Sequence, residues 1–197
     1  MLRIGITGGL GSGKSIASGF IKELGCYVLD ADKVAKELLE SNVEVQNELI
    51  DEFGSDILNA DNTINRQKLA RVAFQDEDHQ MRLNAVIHPY IFEAIDSRYE
   101  AVLKEGKHVV FVVDGALIYE SGLDAHLDYT VVVTAPLAVR MSRALARGKL
   151  NRDEIQRRMD LQWRDEDKIN LADYVINNDK DEEHLKKQVN DIFQQFV

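Results

Sequence analysis

Apolar residues first dominate a short run, Leu2–Thr7, that stops at Gly8-Gly9. A run of that length, ended by glycines, predicts a strand buried on both faces. Over residues 13–24 the period changes: Ile16, Phe20 and Leu24 recur every fourth position, one face of a helix, and Gly25 supplies the position past its end. Residues 26–30 form a second apolar run, and 32–40 return to helical spacing through Val34, Leu38 and Leu39. Strand, helix, strand and helix in that order predict βαβ units and a parallel sheet.

Between 42 and 105 no segment reads as a strand. Val45, Leu49, Ile50 and Phe53 mark a helix ended near Gly54, and a polar turn over 59–65 precedes a second helix at 66–74. A third covers 76–87, and Pro89 suits the first position of a fourth that runs to about 104. Apolar β-branched runs return at 108–114 and 129–134, the pattern of strands covered on both faces. Pro136 opens a helix to about 147, a turn spans 148–151, and an arginine-rich helix reaches about 163. A short strand at 174–177 and a closing amphipathic helix at 181–196 complete the chain. The fold class is therefore α/β: a three-layer domain with a five-stranded parallel sheet and helices on both faces. Residues 1–41, 106–139 and 166–197 form its core, and 42–105 form a helical insertion.

The 197 residues suit one compact domain with an insertion. Lys and Arg number 24 against 34 Asp and Glu, so the net charge of −10 repels a nucleic-acid duplex. Cys26 is the single cysteine, which excludes an intramolecular disulfide and a Cys-based zinc site. The first residues meet glycines too soon for a secretory h-region, and no apolar run is long enough to span a bilayer. A cytoplasmic enzyme is the expectation.

Chemistry enters at Gly8-Gly9-Leu10-Gly11-Ser12-Gly13-Lys14-Ser15, which satisfies G-x-x-x-x-G-K-[ST] between a predicted strand and a predicted helix. Glycines let the chain wrap a phosphate closely, and successive N–H groups point inward at the positive end of the helix. Lys14 can reach the β- and γ-phosphates of ATP, and the Ser15 hydroxyl can ligate Mg²⁺. A guanine-reading N-K-x-D is absent, because Asn177-Asn178-Asp179-Lys180 has the wrong order, and motor ATPases are usually much longer. Small size and a helical insertion favour a small-molecule kinase.

Asp30 and Asp32 fall at the end of the second strand, the edge of a parallel sheet where ligands sit. Either carboxylate can accept a proton or help hold a metal's water shell, and either can simply cap the next helix. Asp114 ends an apolar strand and has the form of a carboxylate that holds Mg²⁺ through water. Arg140, Arg143 and Arg147 share a helix face, with Arg152, Arg157, Arg158 and Arg164 following. That is the pattern of a lid, residues 140–165, which neutralises charge on closing. The alternative is a solvated face paired with Asp153, Glu154, Asp160 and Asp165. For every arginine but Arg143 and Arg147, that alternative is preferred. Trp163 reads as packing beside Met159.

The strings I-T-G-G-L-G-S-G-K-S and V-L-D-A-D-K-V-A-K-E-L resemble the opening of the dephospho-CoA kinases. The resemblance continues through I-N-R-Q-K-L at 64–69, I-H-P-Y-I at 87–91, L-I-Y-E-S-G-L at 117–123, A-P-L at 135–137, and A-D-Y-V-I-N-N at 172–178. It implies a P-loop kinase fold whose insertion binds the acceptor, and transfer of phosphate from ATP to the 3′-hydroxyl of dephospho-CoA. It further implies Asp32 as general base, Arg66, His88, Pro89 and Glu120 on the acceptor side, and Lys14 and Arg143 as catalytic cations. Gly8, Gly11, Ser12, Gly13, Lys14, Ser15, Ile16 and Arg147 would bind the nucleotide. The enzyme would be a monomer or small homo-oligomer. Ile16, Ala116 and Asn177 depart from the family's usual Thr, Pro and Asp. Two other readings remain open: a kinase for another small alcohol or nucleotide, and an ATP-binding switch without turnover.

Overall fold

The computed structural model describes residues 1–197. Five strands, β1 (Leu2–Thr7), β2 (Tyr27–Asp30), β3 (Val110–Asp114), β4 (Tyr129–Thr134) and β5 (Tyr174–Asn177), form one sheet in the order β2-β3-β1-β4-β5. Every pairing is parallel. Both faces are covered, which is why β3 and β4 carry near-continuous apolar runs. Ile4, Ile6, Val110 and Val112 pack with Ala17, Phe20 and Ile21 of α1 (Lys14–Glu23) and with Leu185, Val189 and Phe193 of α9 (Glu182–Phe193). One position along β3, Phe111 meets Tyr99 edge-on, with ring centroids 5.4 Å apart. Tyr99 belongs to α5 (Glu77–Glu105).

The chain divides into two compact units, Met1–Asp30 with Ser97–Val197, and Ala31–Asp96. The second unit begins at Ala31 and ends inside α5, rather than spanning the expected 42–105. It holds α2 (Ala31–Ser41), α3 (Val43–Phe53), α4 (Arg66–Ala73) and the first part of α5. Its own core is Val45, Leu49, Ile57, Leu69 and Ile87. Side chains of Asn42 and Asn65 accept hydrogen bonds from the first backbone N–H groups of α3 and α4 and set where those helices begin.

One expectation fails at Pro89. The two helices predicted at 76–87 and from Pro89 onward are one 29-residue helix, and Pro89 is interior rather than first. Proline removes the N–H that would bond the Ala85 carbonyl, a defect of about 3 kcal/mol in a helix interior. Pro89 and Ala85 both lie on the exposed side, where water can take the freed carbonyl, while Ile87 and Ile95 on the inner side are buried. Burial on that face outweighs the local defect.

The arginine-rich segment also differs in detail. It comprises α6 (Leu137–Ala146) and α7 (Arg152–Asp160), so Trp163 lies beyond the helix expected to contain it. A further helix, α8 (Asp165–Leu171), precedes β5. Its three leading acids, Asp165, Glu166 and Asp167, suit a helix N-terminus. Met141, Ala144 and Ile155 knit α6 to α7, with Leu10, Leu150 and Met159 packed against them.

Candidate active site

The segment Gly8 to Ser15 leaves the end of β1 and enters α1 through Gly13, whose φ of 94° is left-handed. Ile6 of β1 pairs with Asp114 of β3, and Asp30 of β2 pairs with the same Asp114. Three adjacent strand ends therefore deliver the loop and two carboxylates to one edge of the sheet. Lys14 Nζ donates to Asp114 Oδ1, an ion pair with both side chains largely buried. Asp114 thus holds the lysine that the motif supplies.

All four loop glycines are required by space, and Gly11 and Gly13 by backbone angle as well. A Cβ on Gly8 would lie 2.2 Å from the Val133 carbonyl oxygen, and one on Gly9 would lie 1.8 Å from Arg140 Nη1. At Gly11, with φ of 83°, it would meet the Arg140 carbonyl oxygen at 2.3 Å. At Gly13 it would meet Asn178 Nδ2 at 2.0 Å. The loop is gripped from outside as well. Gln162 Oε1 accepts the Leu10 N–H at 3.0 Å, Asn178 Nδ2 donates to the Ser12 carbonyl at 2.7 Å, and Leu10 sits among the apolar residues of α6 and α7. Ser12 Oγ is buried without a partner, while Ser15 and Ile16 are exposed in the first turn of α1. A close backbone cradle, a lysine, a helix N-terminus and an accessible serine hydroxyl fit a polyphosphate with its divalent cation.

The arginines divide by environment. Arg140 Nη1 donates to Asp165 Oδ1 at 2.9 Å, and Thr134 Oγ1 donates to Asp165 Oδ2 at 2.7 Å. Arg140 is therefore a partly buried structural residue over Gly9, one of the pairings that the charged-face alternative anticipated. Arg143 Nη1 donates to the Asn178 carbonyl at 3.0 Å. With Gly11, Gly13, Ile16, Arg147, Asn178 and Leu185 it lines a cavity of about 430 Å³ beside the loop. Arg147 is exposed at the end of α6.

Glu120 is not poised at an open surface. Its Oε1 accepts from Lys168 Nζ at 2.7 Å and from the Trp163 N–H at 3.0 Å. Lys168 is fully buried, and its Nζ also donates to the Ala116 carbonyl at 3.2 Å. The loop after β3 is thereby tied to α8. Trp163 stacks on Tyr119, with ring planes 8° apart. Burial pushes the Tyr119 hydroxyl above its ordinary pKa, even though the hydrogen bond to Thr130 opposes the shift.

In the second unit, Asp32 is exposed in the first turn of α2, where the helix N-terminus favours a carboxylate. Arg66 opens α4 and is exposed, paired with Glu40 at 2.8 Å. Both line a surface cavity of about 500 Å³ with Leu39, Gln46, Asn59 and Ile64. His88 stacks on Phe92 with centroids 6.0 Å apart, and Pro89 is exposed.

Asn178 and Gln162 were not singled out by sequence as parts of the cradle. Asn178 appears there only in a failed guanine motif and in the late family string. Gln162 carries no local signal. Each reaches the loop only through tertiary packing.

The family model for dephospho-CoA kinase matches residues 2–184. A dephospho-CoA kinase from Salinibacter ruber is 34% identical over 193 residues, 98% of this chain and 96% of that protein. Among solved structures, a Thermus thermophilus protein superposes with a TM-score of 0.83 at 29% identity, covering 100% of this chain and 98% of its own. The dephospho-CoA kinase from Campylobacter jejuni gives a TM-score of 0.69 at 25% identity, with 98% of this chain and 96% of that chain covered. With the phosphate cradle in place and the match running through nearly the whole sequence, the chain belongs to the dephospho-CoA kinase family.

Proposed function

We propose that this protein transfers the γ-phosphoryl group of ATP to the 3′-hydroxyl of the dephospho-CoA ribose, giving CoA and ADP. The observation that carries this reading is the cradle at Gly8 to Ser15, with Lys14 on Asp114, in a chain of this family. Asp32 takes the proton from the attacking hydroxyl. A secondary alcohol is a poor nucleophile until a positioned base accepts that proton. The oxygen then attacks phosphorus in line, the bond to the ADP oxygen breaks, and no phosphoenzyme forms. Lys14 and the loop N–H groups hold the phosphates, and Arg143 and Arg147 offset charge as the group moves. Ser12 Oγ, buried without a partner, gains one if a phosphate oxygen lies in the cradle.

Magnesium, held by Ser15 and through water by Asp114, would neutralise phosphate charge. On the acceptor side, Arg66 suits the substrate's pyrophosphate, because a guanidinium matches phosphate oxygens in a fork. His88 and Pro89, from a long helix, belong with Arg66 to the acceptor side, while Glu120, assigned to the acceptor by the family resemblance, fixes the loop after β3 through Lys168. Residues 140–165 act as the lid, excluding water from the reaction. No helix is long and apolar enough to cross a membrane. The place of action is the cytoplasm, where ATP is supplied, and one chain carries every group named.

A coupled assay of ADP release tests the reading. Release should require dephospho-CoA, and a panel of nucleosides, nucleotides and other small alcohols should give little. Equal turnover of another acceptor, or ATP binding with no turnover of any, would overturn it.

A further inference from the structure

Asn178 lies just past β5 and is 5% exposed. It makes three hydrogen bonds to different parts of the phosphate site. Its backbone N–H donates to the Thr134 carbonyl at 2.8 Å, its Nδ2 donates to the Ser12 carbonyl at 2.7 Å, and its own carbonyl accepts from Arg143 Nη1 at 3.0 Å. We propose that Asn178 is a positioning residue. It sets the orientation of the Ser12–Gly13 peptide within the phosphate cradle and holds Arg143 beside it.

All peptides here are trans, so the carbonyl of Ser12 and the N–H of Gly13 point in opposite directions. Drawing the Ser12 carbonyl to Asn178 sends the Gly13 N–H the other way. A nest for anions needs N–H groups, and a carbonyl turned inward would repel a phosphate. Glycines at 11 and 13 make such a turn easy, because they restrict the backbone little. Something outside the loop must choose the orientation, and a buried donor amide does so.

The choice of amide face follows from its partner. Turned over, the Asn178 side chain would set an oxygen against the Ser12 oxygen, two acceptors with no proton between them. Close approach depends on Gly13, since a Cβ there would lie 2.0 Å from Nδ2. The platform beneath Asn178 is fixed as well. Gln188 bonds both the N–H and the carbonyl of Asn177, at 3.0 and 2.9 Å, and Thr134 holds Asn178 itself. Arg143 attaches to this same platform, so one residue sets the cradle and places the cation proposed to serve it.

The inference rests on reading residues 8–15 as the ATP phosphate site. Its test uses the full chain with tripolyphosphate, ATP and dephospho-CoA as separate probes. N178D keeps the shape but replaces the donor with an acceptor, and N178A removes the group. Tripolyphosphate affinity should fall about tenfold in N178A and further in N178D. The kcat/KM for ATP should fall in the same order, while dephospho-CoA affinity and Tm stay near wild type. Unchanged tripolyphosphate affinity would overturn the assignment. So would loss of both ligands in step with Tm, or failure of both variants to fold, since each marks a structural residue. If wild-type protein binds neither tripolyphosphate nor ATP, the ATP reading itself fails and takes the brace with it.

Discussion

The two compact units manage charge in opposite ways. In the nucleotide unit the decisive ions are inside: Lys14 with Asp114, Arg140 with Asp165, and Lys168 with Glu120 all have side chains no more than about one-sixth exposed. In the second unit the comparable pair, Arg66 with Glu40, is about half exposed on each side. Buried pairs fix geometry, because removing one partner strands the other charge away from water. Exposed pairs cost little to open, so Arg66 can leave Glu40 for a phosphate. One unit presents a preset cradle for a donor. The other carries exposed charges whose pairing opens at little cost.

The sharpest way to break that comparison is Asp32→Asn. Turnover should drop about 10²- to 10⁴-fold while ATP affinity is kept, and full activity would remove Asp32 from the chemistry. Next in size, Lys168→Met leaves the Glu120 carboxylate buried without its counter-charge, so chemical denaturation should show a loss of about 3–5 kcal/mol. Adding Glu120→Leu should restore most of it. Arg66→Ala, by contrast, should shift stability by about 1 kcal/mol or less. A large loss there would mean the exposed pair is structural after all.

Gly13→Ala meets both a left-handed φ and the Asn178 amide, and ATP turnover should fall about a hundredfold with the second unit intact. In Arg66→Ala the KM for dephospho-CoA should rise about tenfold with kcat less affected. The smallest effect belongs to Cys26. Burial pushes its thiol up to about 11, so little thiolate exists at pH 8. Alkylation of the native enzyme should be slow and turnover unchanged. As pH rises toward that value the rate should climb with the thiolate fraction.

Much of this was legible in the linear pattern. Near-continuous runs of Val marked β3 and β4, because strands covered on both faces have no polar side to show. Asn42 and Asn65 set helix starts through bonds that span three residues or fewer, of which the linear pattern had shown only the polar turn over 59–65. Pro89 misled, because a rule drawn from local sterics did not weigh the apolar face that runs through Ile87 and Ile95. Glu120 gave no sign of its burial, since its partner Lys168 lies in a helix too short to show a clear period.

By itself the sequence determined the order of strands and helices, the phosphate loop, the lysine and serine in it, and the family. These depend on neighbours a few residues apart, or on strings that can be matched directly. Only the tertiary structure decided what holds the loop. Asn178 reaches Ser12 across 166 positions, Gln162 reaches Leu10 across 152, and Asp114 reaches Lys14 across 100. Such pairings follow from strand order and from how α6 and α8 pack. Hydrogen bonds act over about 3 Å in space, whatever the separation along the chain.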